Sequence, residues 1–304
     1  MSQAPSRPPA EEIVMAVSRA RKQQMYRAYM DFFEVAERKR RWNVWDDIPW
    51  EKLNPQLNDE SDAIRIETFC GVELYVPDYT AQGFNFSRDI FGQAWFAANW
   101  GYEESKHALV FREYLIKSGL RTEDQYLDYE DEILARRWIS PANSMRQTAI
   151  YGAFQEIATY HIYHQQFQKA QREGNEVLQR IVQLVARDEA AHCGFYRRVV
   201  ALDMEDDPQG TMEDLAHVVT HFQMPGALLI PDYDKRVLTE GVGLTKEQFM
   251  MHAIFPTLRQ FGTTRSDLMK ILRAKRERER VAGQSPTATG ETGGERQRLI
   301  AVAG

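Results

Sequence analysis

The chain has little cysteine, no long apolar run and no excess of positive charge. Its two cysteines, Cys70 and Cys193, are too few for a disulfide framework, which fits a reducing compartment. No apolar stretch approaches the roughly 20 residues that a membrane-spanning helix needs. The first residues, "MSQAPSRPPAEEIV", lack the apolar core of a secretory signal. A formal net charge of -6 argues against a general nucleic-acid binder. Convincing alternating strands and internal repeats are also missing. Together these absences predict a soluble, cytoplasmic, all-α protein that binds no nucleic acid and inserts in no membrane.

What remains is a succession of helical patterns in 304 residues, 43% hydrophobic and 27% charged. Residues 1–10, rich in Pro and Ser, read as disordered, as does the Gly/Ser/Thr-rich tail at 282–304. A single helical domain is expected over 11–281. Its long helices should cover about 10–41, 59–76, 86–117, 143–173 and 175–204. Shorter ones are expected after Thr122, near 212–222 and over 246–280, the last interrupted at Pro256. Pro77 should stop the second, and Gly119 and Gly174 the third and fourth. Helices near 30 residues joined by short turns make an antiparallel bundle.

Two stretches carry chemistry. "WGYEESKHALVF" places Glu104 and His107 three apart, and "ARDEAAHCGFY" does the same with Glu189 and His192. That spacing puts carboxylate and imidazole on one helix face. Each pair is preceded by an acid, Glu103 or Asp188, and each lies near the middle of a long helix. Two further segments offer a carboxylate in apolar company, Glu73 in "GVELYVPDY" and Glu156 in "GAFQEIATY". One Glu-x-x-His alone is an unremarkable surface pair. Two of them with two extra glutamates form the ligand set of a di-iron or di-manganese site in a bundle core. Hard oxygen donors with two imidazoles suit those metals better than thiolate-seeking ones. His161, His164, His217, His221 and His252 show no ligand pattern. Trp95, Phe96, Trp100 and Tyr160 read first as core filling.

The segments as a set resemble the soluble acyl-acyl carrier protein (acyl-ACP) desaturases of plants and actinobacteria. "EESKH", "DEAAH", "FQEIAT", "ELYVPDY", "WNVWDDIP" and "QMPGALL" occur in the family's order, and the resemblance covers about residues 20–235. It implies a ferritin-like antiparallel four-helix bundle with flanking helices. Glu73 and His107 would bind one iron, Glu156 and His192 the other, with Glu104 and Glu189 bridging. Thr159 would assist proton delivery beside the O2-binding face. Asp188 would hydrogen-bond His107, and Trp42 would extend that contact as an electron-entry route. The implied reaction uses O2 and two electrons from a ferredoxin to place a cis double bond in an acyl chain held on ACP. A homodimer is also implied.

The segment after Pro77, "DYTAQGFNFSRD", is several residues shorter than its plant counterpart and more polar, so the substrate channel should differ. Acidic ACP calls for a basic surface. Candidates are Arg19, Arg21, Lys22, Arg38, Lys39, Arg40, Arg41, Lys117, Arg121 and Lys169. Competing readings are a di-iron hydroxylase or N-oxygenase and a ferritin-like iron-binding protein.

Overall fold

The computed structural model describes residues 17–238 and 241–281. The two segments expected to be disordered, and residues 10–16 of the expected first helix, lie outside the described residues. Among the described residues there is no strand, and the structure is an all-α bundle. No described helix is long and apolar enough to cross a membrane.

Four antiparallel segments frame the centre. Helix α1 (Arg19–Val35) is capped by Ser18, whose hydroxyl accepts from the Arg21 N–H at 3.1 Å, and it runs into a π turn at Ala36–Arg40. Helices α2 (Glu60–Glu73) and α3 (Val76–Ser87) follow one another along α4 (Phe91–Lys117). Their direction is opposite to that of α4. Cys70 reaches the Ala108 carbonyl, whereas Gly83, further along, lies beside Ala97, earlier in α4. After α5 (Glu123–Leu134), which follows Thr122 as read from sequence and is opened by a Thr122–Gln125 capping box, come α6 (Met145–Glu173) and α7 (Glu176–Asp206). These two make the most extensive helix–helix contact in the fold. Gly174, in the left-handed region at φ 73°, closes α6, and Asn175 caps α7 by accepting from the Leu178 N–H at 3.1 Å. A two-residue turn therefore folds them back antiparallel. Close approach follows at Gly152, where an added Cβ would stand 2.6 Å from the Tyr196 ring.

Three expectations on the helices need correction. Pro77 does not end a helix; α2 closes at Glu73, and Pro77 sits in the first turn of α3, where a missing N–H costs no ladder bond. The third expected helix is thus α4 alone, starting at Phe91. Over 246–280 the chain forms α11 (Lys246–Phe249), a π turn, α12 (Phe255–Gln260) and α13 (Arg265–Val281), after α8 (Pro208–His221) and the short α9 (Pro225–Leu229) and α10 (Tyr233–Val237). Pro256 again occupies a first turn, and the break falls at Gly262, φ 69°.

The apolar core forms two main clusters with a gap between them. One gathers Ile66, Phe69, Phe111, Tyr163, Ile181 and Val185; the other gathers Phe96, Trp100, Ile150, Phe154, Phe195 and Val199. On α4, α6 and α7 the residues between the two clusters are Glu104–His107, Glu156 and Glu189–His192. The packing leaves a layer for polar groups at mid-bundle.

The end of α7 carries a pH-sensitive group. Burial raises the Asp203 carboxyl to about 6, against the pull of Arg21 and Arg146. An acid whose folded pKa exceeds its unfolded value near ~3.9 favours the fold when protonated, and that contribution is lost as pH rises toward about 6. Asp203→Asn is therefore expected to raise Tm at pH 7.5 and to change it much less at pH 4.5, as read by thermal melts across that range.

Candidate metal centre

Six side chains from four helices meet in the polar layer, and none is more than 6% exposed. Glu73 is the last residue of α2, and its Oε1 accepts from the Tyr163 hydroxyl at 2.8 Å. On α4, Glu104 places Oε2 2.9 Å from His107 Nδ1 and Oε1 2.9 Å from His192 Nδ1. Glu156 on α6 accepts from Trp100 Nε1 at 3.0 Å and stands 3.5 Å from His192 Nδ1. Glu189 on α7 stands 3.5 Å from His107 Nδ1. The donor atoms sort into two groups, each within 4.8 Å: Glu73, Glu104, His107 and Glu189; and Glu104, Glu156, Glu189 and His192. Glu104 and Glu189 belong to both.

Four buried carboxylates in one layer repel one another unless cations neutralise them. In the protein alone the strain appears as displaced proton affinities. Burial, then the Glu104 charge, pushes Glu73 and Glu189 well above the usual carboxylate range. Glu104 is itself held at about 2 by the two imidazoles despite burial. Burial opposes charge on His107, but Glu104 and Asp188 raise it to about 10. Glu156 Oε2 and Glu189 Oε2 make no hydrogen bond. Orphaned donor atoms, four acids and two imidazoles fit a pair of divalent cations, whose four positive charges match the four carboxylates.

Behind the imidazoles lies a second set. Asp188 Oδ2 accepts from Trp42 Nε1 at 2.7 Å and stands 3.5 Å from His107 Nε2, longer than a normal hydrogen bond. Trp42 is buried and stacks on the His107 ring with centroids 6.5 Å apart. Glu103 Oε2 lies 2.7 Å from His192 Nε2. Burial opposes ionisation of both acids, yet the imidazoles and Arg40 hold them below their ordinary range. Thr159, one turn after Glu156, is partly exposed; its hydroxyl donates to the Gln155 carbonyl at 3.0 Å and accepts from Gln155 Nε2 at 3.2 Å.

Glu103, Trp100, Tyr163 and Arg40 were not assigned from sequence. The acid before each Glu-x-x-His was a visible signal for Glu103. Nothing in one dimension marks Tyr163 or Trp100 as partners of Glu73 and Glu156. The basic candidates shrink. Arg40 and Arg41 turn inward to Glu103; Arg21 binds Asp206, Lys169 binds Asp62, and Arg121 binds Glu60 and Glu67. Arg19, Lys22, Arg38, Lys39 and Lys117 stay exposed.

A narrow cavity of about 70 Å³ borders the centre at Glu73 and Glu104, walled by Tyr79, Trp100, Trp138 and Tyr196. The α3 segment that follows Pro77 contributes Tyr79, Thr80 and Gly83 to it. A larger cavity of about 170 Å³ lies among α6, α8 and α10, and its wall includes none of the six.

The chain belongs to the fatty acid desaturase family, whose model matches residues 78–242, a span that begins after Glu73 and contains the other five members of the cluster. Among its relatives is DesA1 of Mycobacterium tuberculosis, named for acyl-ACP desaturation, 27% identical over 227 residues. Another is acyl-ACP desaturase 7, chloroplastic, of Oryza sativa, 32% identical over 171 residues. A third is palmitoyl-ACP 4-desaturase 2, chloroplastic, of Ophrys sphegodes, 28% identical over 152 residues. These matches cover 66%, 52% and 49% of this chain, and 65%, 41% and 40% of the relatives' own lengths.

Proposed function

We propose that this protein is an O2-dependent di-iron desaturase that places a cis double bond in an acyl chain carried as an ACP thioester. The observation that carries the reading is the pair of donor groups sharing Glu104 and Glu189 beside a narrow, largely apolar cavity. Glu73 and His107 would hold one iron and Glu156 and His192 the other, with Glu104 and Glu189, common to both donor groups, shared between them. Bound iron supplies O2 activation with electrons from an outside donor of the ferredoxin type. The residues of the chain supply position. Tyr163 and Trp100 fix the terminal carboxylates Glu73 and Glu156 from one side each, leaving their remaining oxygens for metal. The aromatic wall at Tyr79, Trp138 and Tyr196 excludes water and holds one stretch of the acyl chain in register, which decides the bond oxidised. The relatives' names supply the acyl-ACP substrate class.

Trp42, Asp188 and His107 form the route for electron entry. Thr159 delivers protons, which requires its hydroxyl to leave Gln155. Thr159→Val is accordingly expected to keep iron and to lower the yield of product per O2 consumed; unchanged coupling in oxygen-electrode and product assays would remove it from the reaction.

The acting unit is a homodimer. On α4, Phe91, Trp95, Tyr102 and Leu109 are each between 50% and 54% exposed, and with Ala98 and Ser105 they follow a spacing that alternates four and three. Tyr26 of α1 extends the stripe, its ring 6.0 Å from Phe91. A second copy set against the same stripe covers these half-exposed apolar side chains on both chains at once. Trp95→Glu is expected to convert a particle of twice 35.3 kDa into one of 35.3 kDa in sedimentation velocity, and a dimer that survives it would place the interface elsewhere.

The reaction is tested by loading the protein with Fe(II), adding a ferredoxin reducing system and O2, and offering acyl-ACP thioesters of graded length. Intact-mass spectrometry should show loss of two hydrogens on one chain length. Gain of one oxygen would make the protein a hydroxylase. Iron oxidation with every substrate unchanged would reject the ACP assignment.

A further inference from the structure

We infer that Arg40 is the positioning residue for both imidazoles, tying together the two acids that back them. The inference rests on the two-metal reading above. Glu103 sits on α4 and backs His192 of α7, whereas Asp188 sits on α7 and backs His107 of α4, so the supports cross between the helices. Arg40 occupies the crossing. Its Nη1 donates to Glu103 Oε2 at 3.0 Å and to Asp188 Oδ1 at 2.6 Å. The same Glu103 oxygen meets His192 Nε2 at 2.7 Å. One nitrogen therefore lies one carboxylate away from each imidazole.

The local fold is arranged for that contact. In the run Arg38–Arg41, the π turn carries Ala36 and Arg40 to the inner face, while Arg38 and Lys39 stay outside. Arg187, next to Asp188, donates from Nη2 to the Arg40 carbonyl at 2.6 Å. The guanidinium rests over the Phe32 ring at 4.9 Å. Arg40 is 5% exposed, and its Nε and Nη2 make no hydrogen bond. A cation buried with two donors unsatisfied is costly, and the paired charges of Glu103 and Asp188 are what offset that cost. The same pairing holds two carboxylates of like charge together and aims both at histidines. Partners of this kind fix ring orientation and change metal affinity by about 10–100-fold when lost.

The test is an anaerobic titration with Co(II), read by visible absorption and by elemental analysis of metal per chain. Wild type is expected to bind two metals. Glu103→Gln and Asp188→Asn should each weaken one of the two. Arg40→Gln should weaken both, by about tenfold or more, and alter the cobalt spectrum of both. Arg40→Lys keeps the charge, ends one bond short and should recover part of the affinity. Wild-type binding and spectrum in Arg40→Gln would overturn the inference. So would an unfolded Arg40→Gln beside an Arg40→Lys with wild-type binding, which would make Arg40 a structural cation. A wild type that binds fewer than two metals overturns the two-metal reading, and this inference with it.

Discussion

Glu189→Ala is expected to keep the helical fold and to lose most of the iron that the proposed centre binds. Glu189 is 1% exposed and belongs to both donor groups, so its removal would take a ligand from each metal of the proposed pair at once. It also lowers the negative charge of the layer from four to three, leaving two dications incompletely matched. The metal-free fold should tolerate the change. Burial and the neighbouring Glu104 and Glu156 already push the Glu189 carboxyl toward its neutral form, so truncation relieves an unfavourable group. Metal binding to the folded state alone raises stability by mass action. Wild type should therefore gain Tm on adding Fe(II), and the variant should gain little. Circular dichroism and iron analysis on one preparation check both halves. Full iron occupancy in Glu189→Ala would remove Glu189 from the centre.

Asp62→Ala should do the reverse, keeping the metals and losing stability. Asp62 is 2% exposed on α2, about three turns from Glu73. Its Oδ1 accepts from Arg65 Nη1 and, at 3.2 Å, from Gln166 Nε2, and its Oδ2 accepts from Lys169 Nζ at 3.0 Å. Arg65 is 0% and Lys169 3% exposed. Truncation takes from both buried cations the acid they share, a loss of about 3–5 kcal/mol. For a chain of this size that lowers Tm by roughly 6–12 °C. An unchanged Tm would show that the remaining partners of Arg65 and Lys169 suffice.

The clustering of the six candidate side chains was legible because it is periodic. Helical spacing fixes which side chains share a face, which marked the two Glu-x-x-His pairs, while the resemblance of "ELYVPDY" and "FQEIAT" to desaturase segments singled out Glu73 and Glu156. Helix ends were legible for the same local reason, as at Thr122 and Gly174. Pro77 and Pro256 misled because a proline that ends one helix and a proline that opens the next read alike; only the chain geometry distinguishes them. The fate of the basic residues was not legible either. Arg38 to Arg41 form one charged run, and the π turn that sends Arg40 inward and leaves Lys39 outside has no sequence mark. Trp95 and Trp100, alike in one dimension, part company in three: one lies half exposed on the α4 stripe, the other donates to Glu156.

The most direct test of the central claim is an anomalous difference map, recorded at the iron edge, from crystals of the iron-loaded protein. Two peaks are expected in the mid-bundle layer, one beside Glu73 and His107 and one beside Glu156 and His192, with Glu104 and Glu189 between them. A single peak, or iron at any other place with this layer empty, would contradict the account.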